Sequence, residues 1–263
     1  AIECMLLSVL KPGEVILLPR NAHCSVLKGL GLCGAKPVYI EPEIDESLGI
    51  AMGLGVERTS KAIAAHPEAE ALLVVYPTYY GVAADLAKLA ALAHEHGMLL
   101  LADEAHGPHL PFADELPRPA LACGADMAAQ STHKILGALT QASMLHIRSS
   151  RVDIEKVRSA ASLLHSTSPD YLLLASLDIA RLQMAESGQY LIGRSVKLAE
   201  KLRREINSIR GLSVFGKEII GRAGCFSLDA TKLTVTVAGL GLSGREAERI
   251  LRHTYKVQCE LSD

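Results

Sequence analysis

Lys134 is the residue of this sequence with the clearest chemical potential, because it stands among small and apolar residues in AAQSTHKILGALTQ (128–141). A lysine is ordinarily a surface residue, and burying its charge without a partner is costly. In a dry cleft the pKa of a lysine falls, and the neutral amine can attack a carbonyl carbon to form a Schiff base. The stretch therefore predicts a nucleophilic lysine in an apolar cleft, beside the hydroxyls of Ser131 and Thr132 and the imidazole of His133.

A carboxylate suited to the same chemistry ends the strand-like run LLLAD at Asp103. A carbonyl cofactor such as pyridoxal phosphate needs a carboxylate at its ring nitrogen, because the protonated ring is the electron sink. The hydroxyl and imidazole groups before Lys134 could then hold the cofactor's phosphate. Spacing alone leaves open the alternative that Lys134 extends into solvent from the start of a helix.

The histidines allow both a functional and a simpler interpretation. His106 and His109 follow the carboxylates at the end of the same strand, so a loop could converge them on zinc. A structured polar loop without metal is the alternative, and we expect no metal site. His94 and His96 lie two apart in a predicted helix, where their side chains diverge and suit the C-terminal end of the helix dipole.

Two glycine motifs have the G-x-G-x-x-G form. GLGLCG (29–34) ends a predicted helix and precedes a strand, the reverse of a dinucleotide-binding loop, so it is interpreted as a helix C-cap. GLGLSG (239–244) follows a strand-like run and has Glu260 about 20 residues further on, which agrees in outline with a dinucleotide fingerprint. The alternative is a capping box made by Ser243 and Glu246 at the start of a helix.

Apolar runs alternate with helical patterns over the first 150 residues. Strands are predicted at residues 14–19, 36–41, 71–77, 98–103, 125–130 and 143–147, with helices through Val26 and Leu27, at 57–66 and at 84–96. Near-continuously apolar strands alternating with helices favour an α/β fold with a mainly parallel sheet and helices on both faces. Ligands of such sheets bind beyond the carboxyl ends of the strands, so Asp103 and Lys134 should face one crevice.

The remainder of the chain has a different pattern. Residues from Val152 to about 210 are mostly helical, with breaks predicted at STSPD (166–170) and at Gly188. The runs LSVFG, CFSLD and KLTVTVA then alternate with a period of two, followed by a helix at 244–253 and a last strand near Val257. These patterns divide the chain into a large domain (1–150), a helical connection (151–210) and part of a small α+β domain (211–263).

Composition bounds the class of protein. The chain has 263 residues, 49% hydrophobic and 21% charged, with mean hydropathy +0.22, which is typical of a globular chain with a substantial core. A net charge of -2 gives no electrostatic reason to expect nucleic acid or an anionic membrane as partner. The six cysteines form no C-x-x-C pair, the apolar runs are short of a membrane span, and no signal-peptide pattern is present. These features predict a cytoplasmic protein with reduced thiols.

Several stretches give the sequence a resemblance to a known family. They are PRNAHCSV, DEAHGPHLPF, QSTHKILGALTQASMLHI, STSPDYLLLASLDIAR and KLTVTVAGLGLSGREAERIL. They resemble the fold-type I pyridoxal-phosphate enzymes and, among these, the ornithine/lysine/arginine decarboxylases. The resemblance covers nearly the whole chain, and its S-T-H-K and D-E-A-H segments are highly specific. It implies an aspartate-aminotransferase-like fold with pyridoxal 5'-phosphate as cofactor, and it assigns GLGLSG to the family's C-terminal region.

The resemblance also implies a role for individual residues. Lys134 would form the Schiff base, Asp103 would pair with the ring nitrogen, and His133 would contact the phosphate and assist proton transfer. The other implied cofactor-binding residues are Ala105 and His23 on opposite faces of the ring, Ser131 at the phosphate, and His106. Domain 1–150 would thus be the cofactor-binding domain.

The implied activity is decarboxylation of arginine, lysine or ornithine to its amine, a carbon–carbon lyase reaction in polyamine biosynthesis. Thr167 and Ser168 lie in a segment that would reach the cofactor of a neighbouring subunit, so the resemblance implies a homodimer or higher homo-oligomer with shared sites. The alternatives are another fold-type I enzyme, such as an aminotransferase or aldolase, or a non-catalytic truncated subunit. Family members are longer, with a phosphate-binding loop before the helix that begins near Ala1, so we expect this chain to be a central fragment.

Overall fold

The computed structural model describes residues 1–260 of the chain. The α-helices are α1 (Ile2–Val9), α2 (Cys24–Cys33), α3 (Val56–Ala65), α4 (Leu86–Glu95), α5 (Thr132–Ile135), α6 (Ile154–Leu164), α7 (Tyr171–Asn207) and α8 (Gly244–Ile250). The strands are β1 (Val15–Pro19), β2 (Lys36–Ile40), β3 (Ile44–Asp45), β4 (Ile50–Ala51), β5 (Ala69–Val75), β6 (Val82–Ala83), β7 (Leu99–Asp103), β8 (Met127–Gln130), β9 (Met144–Ile147), β10 (Ser213–Val214), β11 (Ser227–Leu228) and β12 (Val235–Thr236).

A six-stranded sheet forms the centre of the molecule, with strand order β2-β1-β5-β7-β8-β9. All neighbouring strands run parallel except β8 and β9, which are antiparallel. Val75 pairs with Asp103, and Asp103 pairs with Ala129, so β5, β7 and β8 end together at one edge. The mainly parallel sheet predicted from the sequence is confirmed.

The sheet is covered on both faces because its strands are apolar at nearly every position. Ile16 and Leu18 of β1 point to one face, where α1, α2 and α6 pack, whereas Leu17 points to the other face, with α3, α4 and α7. All three are fully buried, and burying such a side chain stabilises the fold by about 1.5–3 kcal/mol. Two cores therefore hold the sheet edge that carries Asp103.

The helix α7 runs without interruption over 37 residues, so the break predicted at Gly188 is wrong. Gly188 instead allows α7 to pack closely against Phe112, because a Cβ atom at this position would lie 2.5 Å from Cδ1 of Phe112. The break predicted at residues 166–170 is confirmed, since α6 ends at Leu164 and Asp170 caps α7. Despite the length of α7, no helix within residues 1–260 has the combination of length and apolar character needed to cross a membrane.

The C-terminal segment forms less sheet than its alternating pattern predicts. β10 pairs only with β12, and β11 pairs antiparallel with β6 of the preceding part of the chain. The strand predicted near Val257 is wrong: a π-helical turn at Leu251–Tyr255 follows α8, and residues 256–260 have no strand partner. Extended backbone needs a neighbouring strand for its hydrogen bonds, and this segment meets none in the described part of the chain.

Candidate active site

A cavity of about 650 Å³ opens at the carboxyl ends of β5, β7 and β8. Its lining includes all of the predicted site residues except Thr167 and Ser168: Lys134, His133, Asp103, Ala105, His23, Ser131 and His106. The expectation that Asp103 and Lys134 face one crevice is therefore confirmed. Ala1 and the first two residues of α1, Ile2 and Glu3, also line this cavity.

Asp103 is the last residue of β7 and is only 4% exposed. Its Oδ1 accepts a hydrogen bond of 3.2 Å from the backbone N–H of Ala105. Burial raises the pKa of Asp103 above its ordinary value, although this hydrogen bond and the charges of His23 and Lys134 oppose the increase. The site thus holds a poorly hydrated carboxylate that a nearby cation would stabilise.

Lys134 lies in the one-turn helix α5 and is exposed to solvent, so the expectation of a buried lysine in a dry cleft is wrong. Within this turn the side chain directed to the interior is that of Thr132, which is 2% exposed. The apolar neighbours in the sequence thus reflect the packing of α5, not burial of the amine. Lys134 nevertheless lines the same cavity as Asp103. Its positive charge partly opposes the increase that burial causes in the pKa of Asp103.

His133 is oriented by the carbonyl oxygen of Ala142, to which its Nδ1–H donates a hydrogen bond of 2.7 Å. A carbonyl oxygen can only accept, so Nδ1 carries the proton in the neutral ring and Nε2 is the nitrogen with a free lone pair. Ser131 lies just before α5 and is half-buried. The short segment therefore presents a hydroxyl, an imidazole and an amine to the cavity.

Two further histidines line the cavity. His23 caps α2, its Nδ1 accepting from the backbone N–H of Ser25 at 3.2 Å, and it is exposed. His106 makes an edge-on contact with the ring of Tyr79, with 5.5 Å between ring centroids. Burial, together with the charges of Lys134 and Lys232, lowers the pKa of His106 to about 4, so its ring is neutral near pH 7.

His109 does not reach the cavity, although it follows His106 closely. Its Nε2 lies 3.0 Å from Oδ2 of Asp229, and both side chains are almost fully buried. No group of three or more histidine, cysteine, aspartate or glutamate side chains suited to a metal ion occurs within residues 1–260. His94 is likewise engaged, with its Nε2 2.8 Å from Oδ2 of Asp126. His106 and His109 therefore do not converge on a common point, as the zinc interpretation required.

The glycine motifs are capping structures. Gly34 has a left-handed conformation and ends α2, as predicted. Ser243 and Glu246 form the predicted capping box at the start of α8. Because no parallel strand pair surrounds α8 in the described residues, GLGLSG (239–244) lacks the strand–helix–strand unit that a dinucleotide site requires.

Thr167 and Ser168 are exposed between α6 and α7 and do not line the cavity. Conversely, the sequence interpretation missed several residues that do line it, among them Gln130, Tyr79 and Tyr80. Gln130 ends β8, and the two tyrosines follow β5, so the rule that selected Asp103 at the end of β7 would have found them.

Comparison with solved structures defines the class of fold. The chain aligns with lysine decarboxylase A from Pseudomonas aeruginosa with a TM-score of 0.85 and 23% identity, covering 99% of this chain and 43% of that chain. It aligns with an alanine–glyoxylate aminotransferase from Nostoc sp. with a TM-score of 0.71 and 20% identity, covering 98% of this chain and 68% of that one. At these identities the likeness establishes the fold, which is the one shared by these decarboxylases and aminotransferases.

Sequence comparison is more specific. The Orn/Lys/Arg decarboxylase major-domain profile matches residues 1–239. An arginine decarboxylase of Halalkalibacterium halodurans is 48% identical over 100% of this chain and 54% of its own length. An arginine decarboxylase of Bacillus subtilis is 46% identical, again over 100% of this chain and 54% of its length. The chain belongs to the Orn/Lys/Arg decarboxylase family and spans about half the length of these relatives.

Proposed function

We propose that this protein is a pyridoxal-phosphate-dependent decarboxylase of a basic amino acid, arginine, lysine or ornithine. The observation that carries the proposal is the meeting of Lys134 and Asp103 on one cavity, in a chain of the Orn/Lys/Arg decarboxylase family. Arginine is the first substrate to test, because the relatives with 46–48% identity are named arginine decarboxylases.

The residues present fit the cofactor. An amine, a buried carboxylate, a hydroxyl and imidazoles converge on a cavity of about 650 Å³. Nδ1 of His106 and Oγ1 of Thr132 are buried and have no hydrogen-bond partner among the described residues, which is unusual for buried polar atoms. A polar ligand in the cavity would account for His106, which lines it, whereas Thr132 points to the interior.

When bound, pyridoxal phosphate supplies an aldehyde that condenses with amines and a ring that withdraws electrons from the substrate's Cα. Lys134 would offer the amine that holds this aldehyde, and Asp103 would stabilise the positive charge of the ring nitrogen. Ser131 and His133 would bind the phosphate, while His23, Ala105 and His106 would position the ring. After carbon dioxide leaves, Lys134 would return a proton to Cα, or His133 would do so once its Nε2 has taken up a proton.

The test is an absorbance spectrum of the protein with pyridoxal phosphate, together with carbon dioxide release from labelled arginine, lysine and ornithine. Wild type should bind the cofactor with a visible band and release carbon dioxide, and Lys134→Ala should abolish both. Lys28→Ala, at an exposed lysine outside the cavity, is the control. Keto-acid formation without carbon dioxide would favour an aminotransferase instead, and absence of cofactor binding would favour a non-catalytic subunit.

We also infer a homo-oligomer with shared active sites. Large apolar side chains are exposed at the end of α6 and the start of α7: Leu163 is 77%, Tyr171 76% and Leu172 74% exposed. Grouped exposed apolar side chains often mark an interface, and in the sequence these three flank Thr167 and Ser168. Leu172→Asp should lower the sedimentation mass to that of a monomer, whereas Gln189→Asp on the same helix should not. An unchanged mass in both variants would contradict the inference.

The cellular setting follows from the same proposal. The amine product would enter polyamine biosynthesis, and a cytoplasmic location agrees with six cysteines that are all free thiols in the described residues. We retain the division into a cofactor-binding domain (1–150), a helical connection with the subunit contact (151–210) and part of a small domain (211–263). Limited proteolysis that cleaves first near residues 150 and 210 would support these boundaries.

A further inference from the structure

Glu104 is a buried carboxylate that the proposed chemistry does not use, although it directly follows Asp103. It is 1% exposed. Its Oε1 accepts a hydrogen bond from the backbone N–H of Ala120, and its Oε2 accepts one from Nε2 of Gln130, both at 2.7 Å. A buried carboxylate is tolerated only where donors replace its lost hydration, and here each oxygen has one. The two donors come from different parts of the chain, so Glu104 connects them.

The connection continues from Gln130 into β9. Because Nε2 of Gln130 donates to Glu104, its Oε1 is free to accept, and it lies 3.0 Å from Nε2 of His146. Burial lowers the pKa of His146, so the ring is neutral and its one proton must be on Nε2 to make this bond. Glu104 N–H also donates to the carbonyl oxygen of Ala129 at 2.9 Å. The ends of β7, β8 and β9 are thus joined by one chain of hydrogen bonds with fixed donor directions.

This chain of hydrogen bonds adjoins the segment that carries Lys134. Gln130 lines the cavity and precedes Ser131, whose carbonyl oxygen accepts from the backbone N–H of Lys134 at 3.0 Å. Asp103, one residue before Glu104, lines the same cavity. A shift of the Gln130 side chain would therefore move the start of α5 relative to Asp103.

We propose that Glu104 is a positioning residue whose carboxylate, acting through Gln130 and His146, fixes the Lys134 segment relative to Asp103. The inference rests on the proposed function for its importance, but its geometry can be tested without cofactor. The hydrogen bonds of the Glu104 side chain go to Ala120 and Gln130, and not to Lys134 or Asp103.

The disruptive variant is Glu104→Met, which has similar volume and accepts no strong hydrogen bond. In cofactor-free protein, backbone hydrogen exchange of residues 131–143 should accelerate by about tenfold or more, because the side-chain amide of Gln130 loses its acceptor on Glu104. In the loaded enzyme, the dissociation constant of pyridoxal phosphate should rise and the pH midpoint of its visible band should shift. The rate of carbon dioxide release should fall on the order of 10- to 100-fold, as small misplacements of reacting groups do. The exposed Glu115→Met is the matched control.

The rescue variant exchanges the two side chains by combining Glu104→Gln with Gln130→Glu. The new amide accepts from Ala120 and donates to the new carboxylate, which still accepts from His146, so every bond is restored in the same places. Hydrogen exchange and the pH midpoint should return close to wild-type values.

Wild-type exchange rates in Glu104→Met, or failure of the exchanged pair to restore them, would overturn the inference. A lower urea midpoint with unchanged exchange in residues 131–143 would show a purely structural role and would also overturn it. Failure of wild type to bind pyridoxal phosphate would instead refute the proposed function, and the exchange measurement would still decide the role of Glu104.

Discussion

Replacing Asp229 by asparagine tests the buried contact between Asp229 and His109, which attaches the C-terminal segment to the loop after β7. Oδ2 of Asp229 lies 3.0 Å from Nε2 of His109, with side-chain exposures of 0% and 2%. Oδ1 accepts from the hydroxyl of Thr231 at 2.6 Å and from its backbone N–H at 3.0 Å. The substitution keeps the shape and an oxygen for Thr231 but removes the charge that faces His109.

The expected cost is about 3 kcal/mol, the lower end of the 3–5 kcal/mol found when one partner of a buried ion pair is removed. For a chain of this size this corresponds to a decrease in melting temperature of about 6–12 °C. Burial alone would raise the pKa of Asp229. His109, through its hydrogen bond and charge, and the hydrogen bonds from Thr231 lower it by more, so the pKa of Asp229 lies below its ordinary value of 3.8. A depressed pKa means that the stabilisation is complete well above pH 3.8 and is lost as the pH falls through the folded value.

Urea denaturation of Asp229→Asn, His109→Gln and the double variant forms the appropriate cycle. We expect the two changes to be non-additive by more than about 1 kcal/mol at pH 7, because the pair is in direct contact. Asp178→Asn serves as the control, since Asp178 makes an exposed ion pair with Arg181 at 2.9 Å and should contribute less than about 1 kcal/mol. Additive effects, or a loss for Asp229→Asn no larger than that of the control, would refute the reasoning.

The other predictions concern α7 and the buried carboxylate of the site. Gly188→Ala should destabilise the protein by about 1–3 kcal/mol in thermal melts, because the new Cβ would lie 2.5 Å from Cδ1 of Phe112. Gly193→Ala, where no atom lies within 4 Å of the added Cβ, should instead stabilise by about 0.5–1 kcal/mol, and an equal effect at both glycines would contradict the packing argument. Burial raises the pKa of Glu104 from 4.5 to about 7, so the stability of wild type relative to Glu104→Gln should fall as the pH rises between these values. A urea-midpoint difference that does not vary from pH 4 to 8 would contradict this.

The central sheet could be predicted from the sequence because its signal is local. Its inner strands, β1, β5, β7 and β8, are short, mostly apolar runs, and parallel strands buried on both faces require such runs whatever their partners are. Asp103 could be found for the same reason, since it is the polar residue at which one of these runs ends. Lys134 follows the next predicted strand, and ligands of a parallel sheet bind at the carboxyl ends of its strands. These two facts were sufficient to predict that Lys134 faces the same crevice as Asp103.

The errors come from features that depend on partners. The alternating pattern at residues 232–238 is real, but a strand extends only as far as a neighbour can pair with it, and here that is Val235–Thr236. The pairing of His109 with Asp229 has no sequence signal, because the two residues are 120 positions apart and no local pattern connects them. Lys134 is exposed because the other side of the one-turn helix α5 faces the core. A single turn is too short for hydrophobic periodicity to predict which side that is.

The antiparallel pairing of β8 and β9 has a consequence for how the reactive segment can move. Gln130 pairs with Met144, so residues 131–143 leave and re-enter the sheet at adjacent positions of the same edge. The segment with Lys134 is a loop with both ends anchored, and not a link between distant elements. It can open and close as a local unit at small cost in chain entropy, while the strands that carry Asp103 stay folded. Under the proposed function, Lys134 would release one partner and accept another in each turnover, and such an attachment would allow this without disturbing the sheet.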